Sequence, residues 1–94
     1  MSRRTVELVL YHRYGCHLCE EMLDRLRELQ AAWDFHLLVT DVDANPELVR
    51  RFNDKVPVLE GAGNEICHYV LDEKALETYV QPRSGKESRR FGTD

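Results

Sequence analysis

Two cysteines stand three positions apart in Arg13-Tyr14-Gly15-Cys16-His17-Leu18-Cys19, and this pair is the strongest chemical signal in the chain. Thiol–disulfide exchange needs an attacking thiolate, a second thiol able to resolve the mixed disulfide, and surroundings that favour the ionised form of the first. The segment supplies all three. Cys16 falls where an extended run gives way to a helical one, so unpaired backbone N–H groups and the helix dipole favour a negative sulfur there. Arg13 and His17 add positive charge nearby, and a protonated His17 would stabilise the thiolate or shuttle a proton. Gly15 carries no side chain, which leaves room for a substrate disulfide to approach. Cys19 opens the apolar stripe of the helix and is expected to be the shielded partner. One helical turn holds two Cβ atoms about 5–6 Å apart, whereas a disulfide brings them to about 3.5–4.5 Å, so closing the pair is expected to tighten the first turn.

The same spacing also makes half of a zinc knuckle. A second C-x-x-C is missing, and only Cys67-His68 could complete four ligands with Cys16 and Cys19. A zinc or iron–sulfur protein is therefore one alternative to a redox enzyme, and a redox-inert adaptor is another. Cys67, on a short β-rich run, reads as a small buried hydrophobe.

The elements that must position these groups follow from periodicity. Thr5 to Leu10 alternates as a strand, with Val6, Leu8 and Leu10 on one side. Cys19, Met22, Leu26, Leu29 and Trp33 recur at spacings of three and four, marking an amphipathic helix that begins at or just before Cys16. Phe35 to Val42 is a second extended run, and the helix-sized connection implies a right-handed βαβ unit with parallel strands. Asn45, Pro46 and Glu47 form a helix start, N-cap then proline then acid, and Asn53 is a plausible stop. Val56–Leu59 and Ile66–Leu71 are short β-rich runs joined by the turn formers of Glu60 to Glu65, as in an antiparallel hairpin. Asp72 can cap a last helix through Ala75, Leu76, Tyr79 and Val80. The order is β-α-β-α-β-β-α, an α/β domain over residues 1–80. A C-x-x-C that follows a strand and opens a helix in such a pattern is the setting of thioredoxin-like redox sites.

At this point the sequence resembles a known family. Tyr11 to Glu21, then Asp41-Val42-Asp43, the Asn45-Pro46-Glu47 helix start and Val56-Pro57-Val58-Leu59 look like the small bacterial glutaredoxin-like proteins of the thioredoxin superfamily, a resemblance running from Thr5 to Val80. It implies a three-layer thioredoxin-like fold with a four-stranded mixed sheet in the order 2-1-3-4. It also implies that Pro57 is a cis-proline facing the cysteines and that the backbone of Val56 pairs with the substrate chain. Glutaredoxins hold glutathione through a basic residue ahead of the first cysteine, the backbone beside the cis-proline, and a glycine pair followed by an acid at the last helix. Arg13, Val56 and Asp72 match these parts, while His68-Tyr69-Val70-Leu71 lacks the glycine pair. The implied activity is reduction of protein disulfides or glutathione mixed disulfides, with no tightly bound cofactor and glutathione as a possible co-substrate.

Composition narrows the setting. The 94 residues are 43% hydrophobic and 32% charged with a net charge of −4, as expected of one globular domain and not of a nucleic-acid-binding one. No run approaches the roughly 20 apolar residues of a membrane span. After Val80, Arg83, Lys86, Arg89 and Arg90 face only Glu87 and Asp94, a surplus of two positive charges, so the rest of the chain carries a surplus of six negative ones. Residues 81–94 read as a disordered basic tail. Closely spaced cysteines without a dispersed disulfide framework suggest a reducing compartment, and a cytoplasmic monomer acting on disulfide-containing proteins or glutathione is expected. Asp41 and Asp43 read as loop and cap formers, and His12 and His36 as structural or solvent-facing residues.

Overall fold

The computed structural model describes residues 6–84, with side chains described as far as Val80. The elements are β1 (Glu7–His12), α1 (His17–Ala32), β2 (His36–Asp41), a 3-10 turn (Val42–Ala44), α2 (Pro46–Phe52), β3 (Val58–Gly61), β4 (Asn64–His68) and α3 (Glu73–Ser84). The sheet runs β2-β1-β3-β4. β1 pairs in parallel with β2, from Glu7 opposite His36 to His12 opposite Asp41, and antiparallel with β3. β4 returns antiparallel to β3. This is the element order and sheet order expected from the sequence.

The alternation of β1 divides the interior in two. Val6, Leu8 and Leu10 face one side, where they pack with Leu59 against Met22, Leu26 and Leu29 of α1 and Leu76 and Val80 of α3. Leu8, Leu10, Leu26, Leu59 and Leu76 are fully buried, each worth about 1.5–3 kcal/mol of burial. The opposite side is smaller: Val42, Phe52, Val56 and Val58 pack with Cys19, flanked by Tyr11, Cys16 and Leu48. Both cysteines therefore belong to the lesser cluster, behind the C-terminal end of β1.

The caps match the sequence signals. The Asn45 side chain accepts from the Glu47 N–H at 2.8 Å with Pro46 opening α2, and Asn53, at φ 52°, ends it. Asp41 caps the 3-10 turn by accepting from the Asp43 N–H at 3.0 Å.

The hairpin departs from the expected boundaries. Its turn is the two-residue Ala62-Gly63, both at positive φ (53° and 81°), as a tight hairpin on twisted strands requires. β3 consequently includes Glu60, and β4 ends at His68, which leaves Tyr69 to Leu71 outside the sheet. Glu60 is buried and paired with Arg51, whose guanidinium lies 4.5 Å from the Phe52 ring centroid and 5.6 Å from that of Tyr11. At the other end, α3 continues through Gln81–Ser84, four residues beyond the boundary placed at Val80. The remainder of the expected basic tail, 85–94, lies outside the described residues. Among the described residues, no helix is long and apolar enough to cross a membrane.

Candidate active site

Cys16 is the N-cap of α1. Its backbone is extended (φ −94°, ψ 111°), its carbonyl accepts from the Glu20 N–H at 3.0 Å, and its sulfur accepts from the Cys19 N–H at 3.1 Å. The loop before it is closed by the Cys16 N–H donating to the Arg13 carbonyl at 3.3 Å. A helix N-terminus carries orphan donors and a positive partial charge, and here one of those donors points at the sulfur.

Cys16 and Cys19 are joined as a disulfide with their Cα atoms 5.1 Å apart. The approach comes from the extended cap conformation of Cys16 and not from tightening the first turn, because α1 begins only at His17. Cys19 is 2% exposed, whereas Cys16 is half-buried and borders the surface. Gly15 precedes it at φ +79°, and a Cβ there would meet nothing within 4 Å. The glycine thus serves a left-handed turn as well as leaving open space next to the sulfur.

The Val56–Pro57 bond is cis, and Pro57 is fully buried. Val56 packs in one cluster with both cysteines. Its N–H donates to the Asp54 carbonyl at 3.0 Å.

Other expected site residues have found partners within the protein. The Arg13 guanidinium donates to Asp43 at 3.0 Å and lies 3.8 Å from Asp54, which ties the loop before Cys16 to the 3-10 turn and to the approach to Val56. Its charge is shared between two carboxylates. His17 points along α1 and pairs with Glu21 at 2.8 Å on the solvent side, its side chain largely exposed. Asp72 caps α3, its carboxylate accepting from the Ala75 N–H at 3.0 Å. His12 stacks edge-on with Tyr14, and His36 is exposed on β2.

Cys67 lies in the larger cluster, opposite Leu59. Burial pushes its thiol up, partly offset by a hydrogen bond from the Asp72 backbone, as befits a small core residue. Among the described residues, no group of three or more His, Cys, Asp or Glu side chains stands close enough to hold a metal ion.

Sequence reasoning did not mark Tyr69 as a neighbour of the cis-proline. Tyr69 has φ 65°, and its N–H donates to the Pro57 carbonyl at 2.9 Å, which sets it beside the cis-proline. The available signal was the absence of the glycine pair at this place.

Comparison with known proteins agrees with this geometry. A family model, the glutaredoxin-like domain (DUF836), matches residues 7–81. The uncharacterised protein Rv0508 of Mycobacterium tuberculosis is 36% identical over 85 residues, covering 85% of this chain and 86% of that protein. The solution structure of protein Ne2328 from Nitrosomonas europaea superposes with a TM-score of 0.75 at 44% identity, covering 85% of this chain and 96% of that one. Thioredoxin 1 of Thermosipho africanus, at 19% identity, shares the fold with a TM-score of 0.58 over 81% of this chain and 96% of its own. With the sheet order, the capped cysteine pair and the family match all in register, the chain belongs to the glutaredoxin-like family of the thioredoxin superfamily.

Proposed function

We propose that the protein is a thiol–disulfide oxidoreductase that reduces disulfides through Cys16 and Cys19. The observation that carries the reading is the placement of the Cys16 sulfur at the N-cap of α1, with the Cys19 N–H directed at it and the shielded Cys19 sulfur bonded to it. In the dithiol form, the Cys16 thiolate attacks one sulfur of a substrate disulfide and expels the other as a thiolate. Cys19, losing its proton, then attacks the Cys16 sulfur, closes the intramolecular disulfide and releases the second substrate thiolate. Two electrons pass to the substrate, and an external thiol reductant returns the pair to the dithiol. The helix terminus and its N–H carry the stabilisation of the thiolate, because Arg13 is engaged by Asp43 and Asp54. No resident cofactor is required, and the reducing cytoplasm is the compartment in which such a dithiol is regenerated.

The test is a trap. Cys19→Ser should accumulate a covalent adduct on Cys16 when offered a disulfide substrate, seen as an added mass on that residue. Cys16→Ser should lose turnover. Turnover in Cys16→Ser equal to that of the wild type rejects the assignment.

A further inference from the structure

Cys16 packs in one cluster with Val42 of the 3-10 turn and Val56 of the cis-proline segment. One charged side chain from each of the same three segments meets beside that cluster. Arg13, in the loop closed onto Cys16, donates from Nε to Asp43 at 3.0 Å, and its Nη1 lies 3.8 Å from Asp54. A guanidinium is the side chain best shaped to receive a carboxylate, and Arg13 is the cation nearest in sequence to the cysteine pair. A carboxylate next to a substrate disulfide would be drawn to it. The fold has already supplied two.

This occupation is built in. The Asp43 N–H donates to the Asp41 carboxylate at 3.0 Å, so the 3-10 turn holds Asp43 in place to face Arg13. The Arg13 side chain is 28% exposed, against 51% for Asp43 and 90% for Asp54, so a solute meets the carboxylates before the guanidinium. One positive charge between two negative ones leaves the trio at −1. A carboxylate belonging to the fold also competes as an intramolecular partner, at an effective concentration that a dissolved thiol does not match.

The cations nearby are matched in the same way. In α2 and the cis-proline segment, Arg50 pairs with Glu47, Arg51 with Glu60, and Lys55 with Glu65. An approaching anion therefore finds no unmatched lysine or arginine on these segments and a net negative charge around Arg13. Like charges brought together weaken an encounter, and an uncharged or cationic group meets no such opposition.

We propose that Asp43 and Asp54 are specificity-determining residues: by engaging Arg13 they turn the site against disulfides that carry carboxylates beside the sulfur, and toward uncharged or cationic ones. This rests on the redox reading of Cys16 and Cys19. The chemical step is unchanged. The Cys16 thiolate bonds to one sulfur of the mixed disulfide and expels the other as a thiolate, Cys19 releases the first, and dithiothreitol, oxidised to its cyclic disulfide, returns the two electrons.

The test uses the full chain, dithiothreitol, and one uncharged peptide with a single cysteine, prepared as its mixed disulfide with glutathione and with glutathione diethyl ester. The two substrates differ only in carboxylates. Each kcat/KM is divided by the rate of that disulfide with dithiothreitol alone. The wild type should favour the ester by about fivefold, the upper range for an exposed charge interaction, and mainly through KM. Asp43→Asn/Asp54→Asn keeps the side-chain shapes and frees Arg13, so the preference should reverse toward the acid; adding Arg13→Met should bring the ratio to about one. Raising potassium chloride to about 0.5 M should shrink the wild-type preference by screening, a readout that needs no variant. A strap that merely fastens the loops would move neither ratio. A wild-type ratio at or below one, a ratio unchanged in the double variant or in salt, or a reversal that survives Arg13→Met overturns the proposal. Failure of the wild type to reduce either substrate, or bis(2-hydroxyethyl) disulfide, overturns the redox reading itself.

Discussion

Arg51 offers the sharpest test of how the face behind the cysteines is held. The Glu60 carboxylate sits in the middle of β3 with its side chain 8% exposed, and its partner is the half-exposed Arg51 guanidinium. Arg51→Met removes that cation and leaves a buried carboxylate without a counter-charge. Breaking a fully buried pair from one side costs about 3–5 kcal/mol. Because half of Arg51 is in water, solvent can enter the vacated space, and the lower range for an unsatisfied buried group, about 1–3 kcal/mol, applies. Loss of the cation over the Phe52 and Tyr11 rings adds about 0.5–1 kcal/mol, part of which the methionine recovers by packing on the same rings. The expected net loss is about 2 kcal/mol, or roughly 8–16 °C in Tm for a domain of this size. Urea denaturation of the reduced protein measures it. The double variant Arg51→Met/Glu60→Leu replaces both charges by apolar groups and should recover most of the loss. A single variant within about 0.5 kcal/mol of wild type, or a double variant no more stable than the single, refutes the claim that the ion pair fastens α2 to the sheet.

Gly15→Ala should cost about 1 kcal/mol, read by thermal denaturation. The left-handed backbone is the whole cause, since the added methyl group meets no neighbour within 4 Å, and a loss above about 3 kcal/mol would mean that a contact had been overlooked. After reduction, iodoacetamide at pH 7 should label Cys16 ahead of Cys67, because burial raises the Cys67 thiol; peptide mass mapping that finds Cys67 labelled ahead of Cys16 contradicts this. Lys55, at 2.7 Å, and then His68 hold the Glu65 carboxyl below its ordinary value. Its contribution to stability is therefore present above the unfolded glutamate pKa of about 4.3 and disappears as pH falls through the lower folded value. Lys55→Met should be less stable than wild type by about 0.5 kcal/mol at pH 7, and the two urea midpoints should converge in acid; a gap that stays constant would assign the loss to packing.

Much of the architecture is legible in the sequence because local and global signals coincide. Asn45-Pro46-Glu47 stops one chain direction and starts another with three independent cues, and Asp72 caps α3 with the same chemistry. The stripe from Cys19 through Leu29 fixes which side of α1 meets the sheet. By its type Glu60 reads as a turn residue, and it joins β3 only because Arg51, nine positions earlier, is brought over it. Neither residue signals that partnership alone. Likewise Arg13 reads as free charge beside a thiolate, and only folding brings in Asp43 and Asp54. The tyrosine at φ 65° could not be foreseen, since its conformation is imposed by a hydrogen bond to Pro57 and not by its own preference.

The account turns on reversible oxidation of one cysteine pair, and equilibrium titration against glutathione and dithiothreitol buffers, read by mass, measures that directly. The expected result is one two-electron transition at a potential between about −300 and −180 mV, with two hydrogens lost from the peptide holding Cys16 and Cys19 and none from Cys67. A pair that remains a dithiol across the whole range, or an oxidised form linking Cys67 to either partner, contradicts it.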